Sequence, residues 1–208
     1  MLGVCRFRRT ATAEPAIVRP TRRGGIVVEV AQMTNMTDLM IRNAGVTDAR
    51  SIAEIGVRGW QAAYRGILPD ALLDGLSIDA RETAWRMMLE NDEAGDAPAW
   101  LAERNGSAIG FLASGPPRDG DVPRPAAEVY AIYVIPDSWR SGAGRGLLTT
   151  AVDQWKVRGA TTLALWVLEA NARGRAFYEA MGWRADGRRQ EIAFGGFAAT
   201  EVRYRVRL

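Results

Sequence analysis

Apolar residues along the chain recur in blocks whose spacing switches between two and three-to-four. "LMIRNA" (Leu39–Ala44) reads as a first strand. Ile52, Ile55 and Trp60 then share one face at helical spacing, and Thr47 stands where that helix needs a cap. "GILPD" interrupts the helix. A second helix, starting from Ser77 or Asp79, gathers Trp85, Met88 and Leu89 on one side. "AWLAERNGSAIGFLAS" is two strand-like runs joined by Asn105-Gly106, a dipeptide suited to the tight turn of a hairpin. A Gly/Pro-rich loop, "GPPRDGDVPRP", leads to a strand around Glu128–Ile135. The following helix presents Leu147, Leu148, Ala151, Val152 and Trp155 on one face, and "TTLALWVLE" reads as a buried strand. Asn171 caps a short helix ending at Gly182. Two alternating runs, "RRQEIAF" and "TEVRYRVRL", close the chain as a hairpin. Hairpins dominate this order, with one βαβ unit in the middle. It predicts a mixed sheet with helices packed on it, not a doubly wound parallel sheet.

Composition narrows the chemistry. The 208 residues contain no histidine, which excludes Ser-His-Asp catalysis, histidine-based zinc sites and a histidine base. An enzyme built from this chain uses carboxylates, tyrosine, backbone dipoles or a cofactor. Cys5 is the only cysteine, so no internal disulfide forms, which fits a reducing cytoplasm. No apolar run approaches the roughly 20 residues of a membrane span. The net charge of +3 belongs to the start of the chain, where residues 1–35 carry six arginines and two glutamates. The remainder is balanced to within one charge, which argues against a nucleic-acid surface. Residues 1–35 read as a basic, disordered leader or as chain ahead of a later start at Met33 or Met36. Residues 36–208 then form a single domain.

"VIPDSWRSGAGRGLLTTAVDQW" (Val134–Trp155) places Gly142, Gly144 and Gly146 where a helix begins, with Arg140 and Arg145 among them. The first amides of a helix lack intrahelical partners and lie at the positive end of its dipole. An anion binds there without a dedicated side chain, and glycine lets it approach the backbone. A P-loop is excluded because no lysine adjoins the glycines and Lys156 lies too far on. A dinucleotide fingerprint is weakened by Leu147 at its third glycine and by the long turn from Asp137 to Gly142, although Glu169 imitates its ribose-binding acid. A plain connection punctuated by glycine remains the simplest alternative.

A second motif changes the balance. "LEANARGRAFYEAMGWRADG" (Leu168–Gly187), taken with the glycine loop and with "EVYAIYVIP" ahead of it, resembles the GNAT-type N-acetyltransferases over about residues 38–208. Asn171, Phe177, Tyr178, Gly182 and Trp183 fall in register with that family's signature. Trp139 departs from it, standing where the family has glutamine or arginine, with Arg140 next door. The resemblance implies an α+β fold: a mixed, mostly antiparallel twisted sheet with helices on both faces. It implies acetyl-CoA as co-substrate, no metal, and a small-molecule or peptide amine as acceptor. By the same likeness, Arg140, Ser141, Gly142, Ala143, Gly144 and Arg145 hold the CoA diphosphate, while Ile132, Tyr133, Val134, Asn171 and Phe177 meet the rest of the cofactor. Arg173 and Arg175 are candidates for its 3′-phosphate.

An alkylamine of pKa near 10 is neutral about one time in a thousand at pH 7, a cost of roughly 4 kcal/mol, so the acceptor needs a base or a desolvating pocket. Glu128 matches the family's base position and Tyr178 its acid, which protonates the leaving thiolate. A phenol near pKa 10 is roughly matched to a thiol near 8.5. Trp60 and Tyr64 lie in "GWQAAYRGILPDALL" (Gly59–Leu73), the segment that roofs the acceptor pocket in that family, with core packing as the alternative for both. An open sheet ending in "VRYRVRL" invites contacts between two copies. A catalytically silent acyl-CoA-binding module is the second reading. It keeps the glycine loop and needs neither Glu128 nor Tyr178.

Overall fold

The computed structural model describes residues 39–92, 95–122, 124–194 and 196–208, so the expected leader over residues 1–35 lies outside the described residues. Seven strands build one sheet: β1 (Leu39–Asn43), β2 (Ala99–Arg104), β3 (Ser107–Gly115), β4 (Ala126–Val134), β5 (Thr162–Leu168), β6 (Arg184–Phe194) and β7 (Phe197–Arg207). Their order is β1-β2-β3-β4-β5-β7-β6. Only β4 and β5 run parallel; the other pairs are antiparallel. The helices are α1 (Ala49–Tyr64), α2 (Asp70–Asp74), α3 (Ile78–Glu90), α4 (Ala143–Val157) and α5 (Ala172–Ala180). No helix among the described residues is long and apolar enough to cross a membrane.

Successive side chains on a strand point to opposite faces, and the core divides accordingly. Trp100, Ala102 and Leu112 pack with Leu147, Leu148, Ala151 and Trp155 of α4. Their neighbours Leu101 and Phe111 pack with Ile52 and Ile55 of α1. Helices therefore cover both faces of the sheet, as the resemblance implied. Each fully buried leucine contributes about 2 kcal/mol of transfer free energy to this arrangement.

Local chemistry sets the turns. Asn105 and Gly106 take φ of 52° and 74°, closing the β2–β3 hairpin. Ser77 caps α3, its hydroxyl accepting the Ala80 N–H at 3.2 Å. Three expectations change. Thr47 lies in a short 3-10 turn (Val46–Asp48) and caps nothing; Asp48 accepts the Gly45 N–H at 2.8 Å and grips the Arg42 guanidinium through both carboxylate oxygens. The interruption at "GILPD" is followed by an extra turn of helix, α2. "VRYRVRL" belongs to β7, which lies between β5 and β6, so the edges left for a second copy are β1 and β6.

The Gly/Pro-rich loop before β4 is held electrostatically. Arg203 on β7 is only 2% exposed, and it donates to Asp119 and Asp121 of that loop and to Asp186 of β6 at 2.7–2.9 Å. The loop is thereby tied to β7.

Candidate active site

The site begins as a gap in the sheet. β4 pairs with β5 only from Ala126–Val129, the last pair being Val129 with Leu165. Beyond it the two strands part. On its other side β4 stays on β3, but with Tyr130 as an extra residue: Ala131 faces Ala113 while Val129 faces Ser114. The Ile135 N–H donates to the Ile109 carbonyl at 2.9 Å, which fixes the alternation. The peptide groups of Ala131 and Tyr133 face β3, and those of Ile132 and Val134 face the gap. The Val134 carbonyl accepts the indole N–H of Trp139 at 2.8 Å. The backbone of Ile132 and the N–H of Val134 are left toward the opening.

The gap widens into a cleft of about 770 Å³ that ends on the glycine loop. Arg140 takes φ of 60° and Gly142 φ of 89°, so the chain enters α4 through two left-handed residues. The first helical bond runs from the Gly146 N–H to the Gly142 carbonyl at 2.8 Å. The amides of Ala143, Gly144 and Arg145 therefore have no intrahelical partner. Arg140, Gly142, Gly144 and Arg145 line the cleft. Ser141 and Ala143 do not: Ala143 is 1% exposed in the core, and the Ser141 carbonyl accepts from Arg104 at 3.1 Å. The Ser141 Oγ is buried without a partner among the described residues. Gly146 turns away, facing Ile41.

Trp139 has a use that its departure from the family pattern did not suggest. Its ring carries the Arg173 guanidinium at 4.0 Å and holds that charge on the cleft wall. Arg175 points elsewhere, toward the Glu169 carbonyl and the Tyr204 hydroxyl. Three arginines and no carboxylate line the cleft among the described residues.

α5 supplies the opposite wall. Asn171 caps it by accepting the Gly174 N–H at 2.9 Å, and a Cβ at Gly174 would come within 2.7 Å of the Asn171 amide, so the two residues require each other. Phe177 and Tyr178 follow on the cleft surface. The Tyr178 ring packs among Phe177, Trp183 and Tyr204. Burial pushes the Tyr178 hydroxyl well above the ordinary phenol range, and Tyr64 adds to the effect. Tyr178 is thus a protonated phenol at neutral pH. Tyr64 and Tyr133 bring their hydroxyls to 3.3 Å in the same cleft, and burial raises both their pKa values as well.

Glu128 is set apart from this group. It is 1% exposed and does not line the cleft. One carboxylate oxygen accepts the Arg118 backbone N–H at 2.8 Å, and the other accepts Nε of Arg118 at 2.9 Å and a second guanidinium nitrogen. Sequence spacing located Glu128 on β4 but gave no sign of Arg118, which arrives from an aperiodic loop.

A second cavity of about 500 Å³ adjoins the cleft and shares Tyr64, Tyr130, Tyr133, Trp166 and Val167 with it. Trp60 lines this cavity and not the cleft, edge-on to Tyr64 and Phe194 with ring centres 5.2 and 5.5 Å apart. Arg118, Trp166, Phe194 and Glu201 complete much of its wall, and sequence reading missed all four. The only available signal was strand alternation, which assigns a face to each residue but not the element opposite.

Known proteins share this architecture. The acetyltransferase (GNAT) family model matches residues 60–183. The uncharacterized N-acetyltransferase YuaI of Bacillus subtilis is 30% identical over 146 residues, 67% of this chain and 77% of that protein. A probable N-acetyltransferase of Mycobacterium tuberculosis is 30% identical over 155 residues, 73% of this chain and 83% of that one. The PaiA N-acetyltransferase of Thermoplasma acidophilum, solved in complex with coenzyme A, superposes with a TM-score of 0.66 over 82% of this chain and 99% of its own, at 18% identity. On the family model and these relatives, the chain belongs to the acetyltransferase (GNAT) family of acyl-CoA-dependent N-acetyltransferases.

Proposed function

We propose that this protein transfers the acetyl group of acetyl-CoA directly to a primary amine, without a covalent enzyme intermediate. The observation that carries this reading is the gap between β4 and β5 ending on the unpartnered amides of α4 in a cleft with three arginines and no carboxylate. A diphosphate suits that end by charge and by hydrogen bonding. The amides of Gly144 and Arg145 would bind it, with the Arg140 and Arg145 side chains at the rim. The open peptide groups of Ile132 and Val134 suit an arm that itself carries amides. Acetyl-CoA supplies the activated acyl carbon.

The chain's own residues then have three tasks. Backbone N–H groups freed at the Tyr130 bulge stabilise the charge that develops on the thioester oxygen. Tyr178, kept protonated by burial, gives its proton to the leaving sulfur. Its raised pKa makes that transfer steeper than between a free phenol and a thiol, so it has to be concerted with departure of the sulfur. Glu128 takes up the proton of the amine through water, because it lies off the cleft, and Arg118 has to release one of its oxygens for that step.

One observation favours the alternative of a silent acyl-CoA-binding module, namely the closure of Arg118 over Glu128. Thiol release from acetyl-CoA, followed with purified protein and a panel of primary amines, separates the two. Amine-dependent release supports the transferase. CoA binding without turnover across the panel supports the module, and absence of CoA binding refutes both.

A further inference from the structure

The two adjoining cavities differ in sign. The cleft carries three arginines and no acid, while the second cavity holds Arg118, Asp119 and Glu201. Two of these charges are already answered. Arg118 is closed on Glu128. Asp119 accepts from Arg203 and from the Trp166 indole, both at 2.9 Å. Glu201 receives only the Gln190 amide, at 2.9 Å, and no cation pairs with it among the described residues. Burial raises its carboxyl above the usual carboxylate range, against the smaller opposing effects of the Gln190 hydrogen bond and the Arg118 charge. A half-buried carboxylate without a counter-ion is costly. It shares the cavity wall with Tyr64, Tyr133, Phe194 and Trp60, of which Trp60 already carries the Arg81 guanidinium over its ring at 5.0 Å. An aromatic wall with one unanswered negative charge is the chemistry that recognises an organic cation.

We infer that Glu201 and the surrounding aromatic wall form the acceptor subsite, and that the acceptor is a cationic primary amine on an apolar or aromatic body. This rests on the proposed acetyl transfer. It gives Glu201, on β7, a selecting role separate from the proton uptake assigned to Glu128. The opposed signs of the two cavities also keep the partners apart: the polyanionic acyl donor is disfavoured beside Glu201, and a cationic acceptor is disfavoured beside Arg140, Arg145 and Arg173. Tyr64 and Tyr133, which line both cavities, stand where the two substrates meet.

The test compares binding of 2-phenylethylammonium and 3-phenylpropionate, of similar body and opposite charge, to the full chain preloaded with CoA. Tryptophan fluorescence reports both, because Trp60 and Trp166 line the cavity. The ammonium should bind at least about tenfold more tightly than the carboxylate, and Glu201→Gln should weaken it by about tenfold or more while the CoA Kd stays within about threefold. Equal affinity for the two probes, no binding of either, or an unchanged ammonium Kd in Glu201→Gln overturns the inference. The wild-type comparison needs no variant to fold. Failure to bind CoA in the preloading step refutes the transferase reading instead, so the two failures are distinguished.

Discussion

Replacing Gly144 separates what the glycine loop does for folding from what it does for binding. Gly144 is the second residue of α4 and lines the cleft. A Cβ there would meet Phe177 at 3.4 and 3.6 Å and the Val134 side chain at 3.9 Å, ordinary contacts that displace nothing. Its φ is not in the left-handed region, so alanine meets no backbone strain. Glycine costs up to about 1 kcal/mol relative to alanine inside a helix, and less in the first turn. Gly144→Ala should therefore leave the unliganded protein as stable as before or slightly more so, with Tm shifted by less than about 4 °C. Binding should move the other way. The added methyl occupies the space in which a diphosphate would approach the amides of Gly144 and Arg145. Charge-assisted hydrogen bonds of this kind contribute about 1.5–3 kcal/mol each. Loss of one weakens CoA by about 10- to 100-fold. Gly144→Glu adds a like charge; at about 4 Å and an effective dielectric near 20 this is about 4 kcal/mol, or roughly a thousandfold. Differential scanning fluorimetry without ligand and calorimetric titration with CoA measure the two effects. A CoA Kd within twofold of wild type in both variants would show that the diphosphate lies elsewhere.

Tyr178→Phe removes one hydroxyl from the cleft and should lower kcat by about 10²- to 10⁴-fold with the CoA Kd within about threefold; unchanged turnover ends its role as acid. Glu128→Gln should lower kcat by about a hundredfold with the CoA Kd within about threefold, and an unchanged kcat assigns proton uptake to another group. Arg203→Met leaves Asp119, Asp121 and Asp186 without their buried cation, and chemical denaturation should show a loss of about 3 kcal/mol at pH 7. Arg203, and after it Arg188, hold the Asp121 carboxyl below its ordinary value. Its contribution is complete above the unfolded pKa of about 3.9 and is lost as pH falls through the lower folded value. Below about pH 4 wild type should therefore lose stability faster than Arg203→Met, and parallel acid limbs would contradict that account.

Much of the fold was legible because its periodicities are clean. Ile52 and Ile55, and Leu147, Leu148, Ala151 and Trp155, mark the two helical faces directly, and Asn105-Gly106 fixes the first hairpin. What escaped depends on contacts between distant segments. The loop "GPPRDGDVPRP" has no period; its conformation follows from Arg203, some eighty residues further on. Arg118 therefore arrives at Glu128 unannounced, and the reading of Glu128 as a freely placed base omits the ion pair around it. Thr47 is no cap because the chain makes a 3-10 turn over Val46–Asp48 first, which moves the start of α1 to Ala49. On the cofactor side, the resemblance led to Arg140, Gly142, Gly144, Arg145, Asn171, Phe177 and Tyr178, all on one cleft. It gave nothing for Glu201, because strand alternation does not say that Trp60 and Phe194 stand beside it.

The parting of β4 from β5 has a consequence for the lifetime of the molecule. A sheet interrupted in its middle leaves peptide groups with only solvent to satisfy them, and under the proposed binding mode a guest that supplies amides of its own would repair the interruption. Resistance to unfolding then scales with supply of that guest, by about 2.7 kcal/mol at a hundred times its Kd. A starved cell, short of acyl-CoA, would hold this protein in its most perishable form.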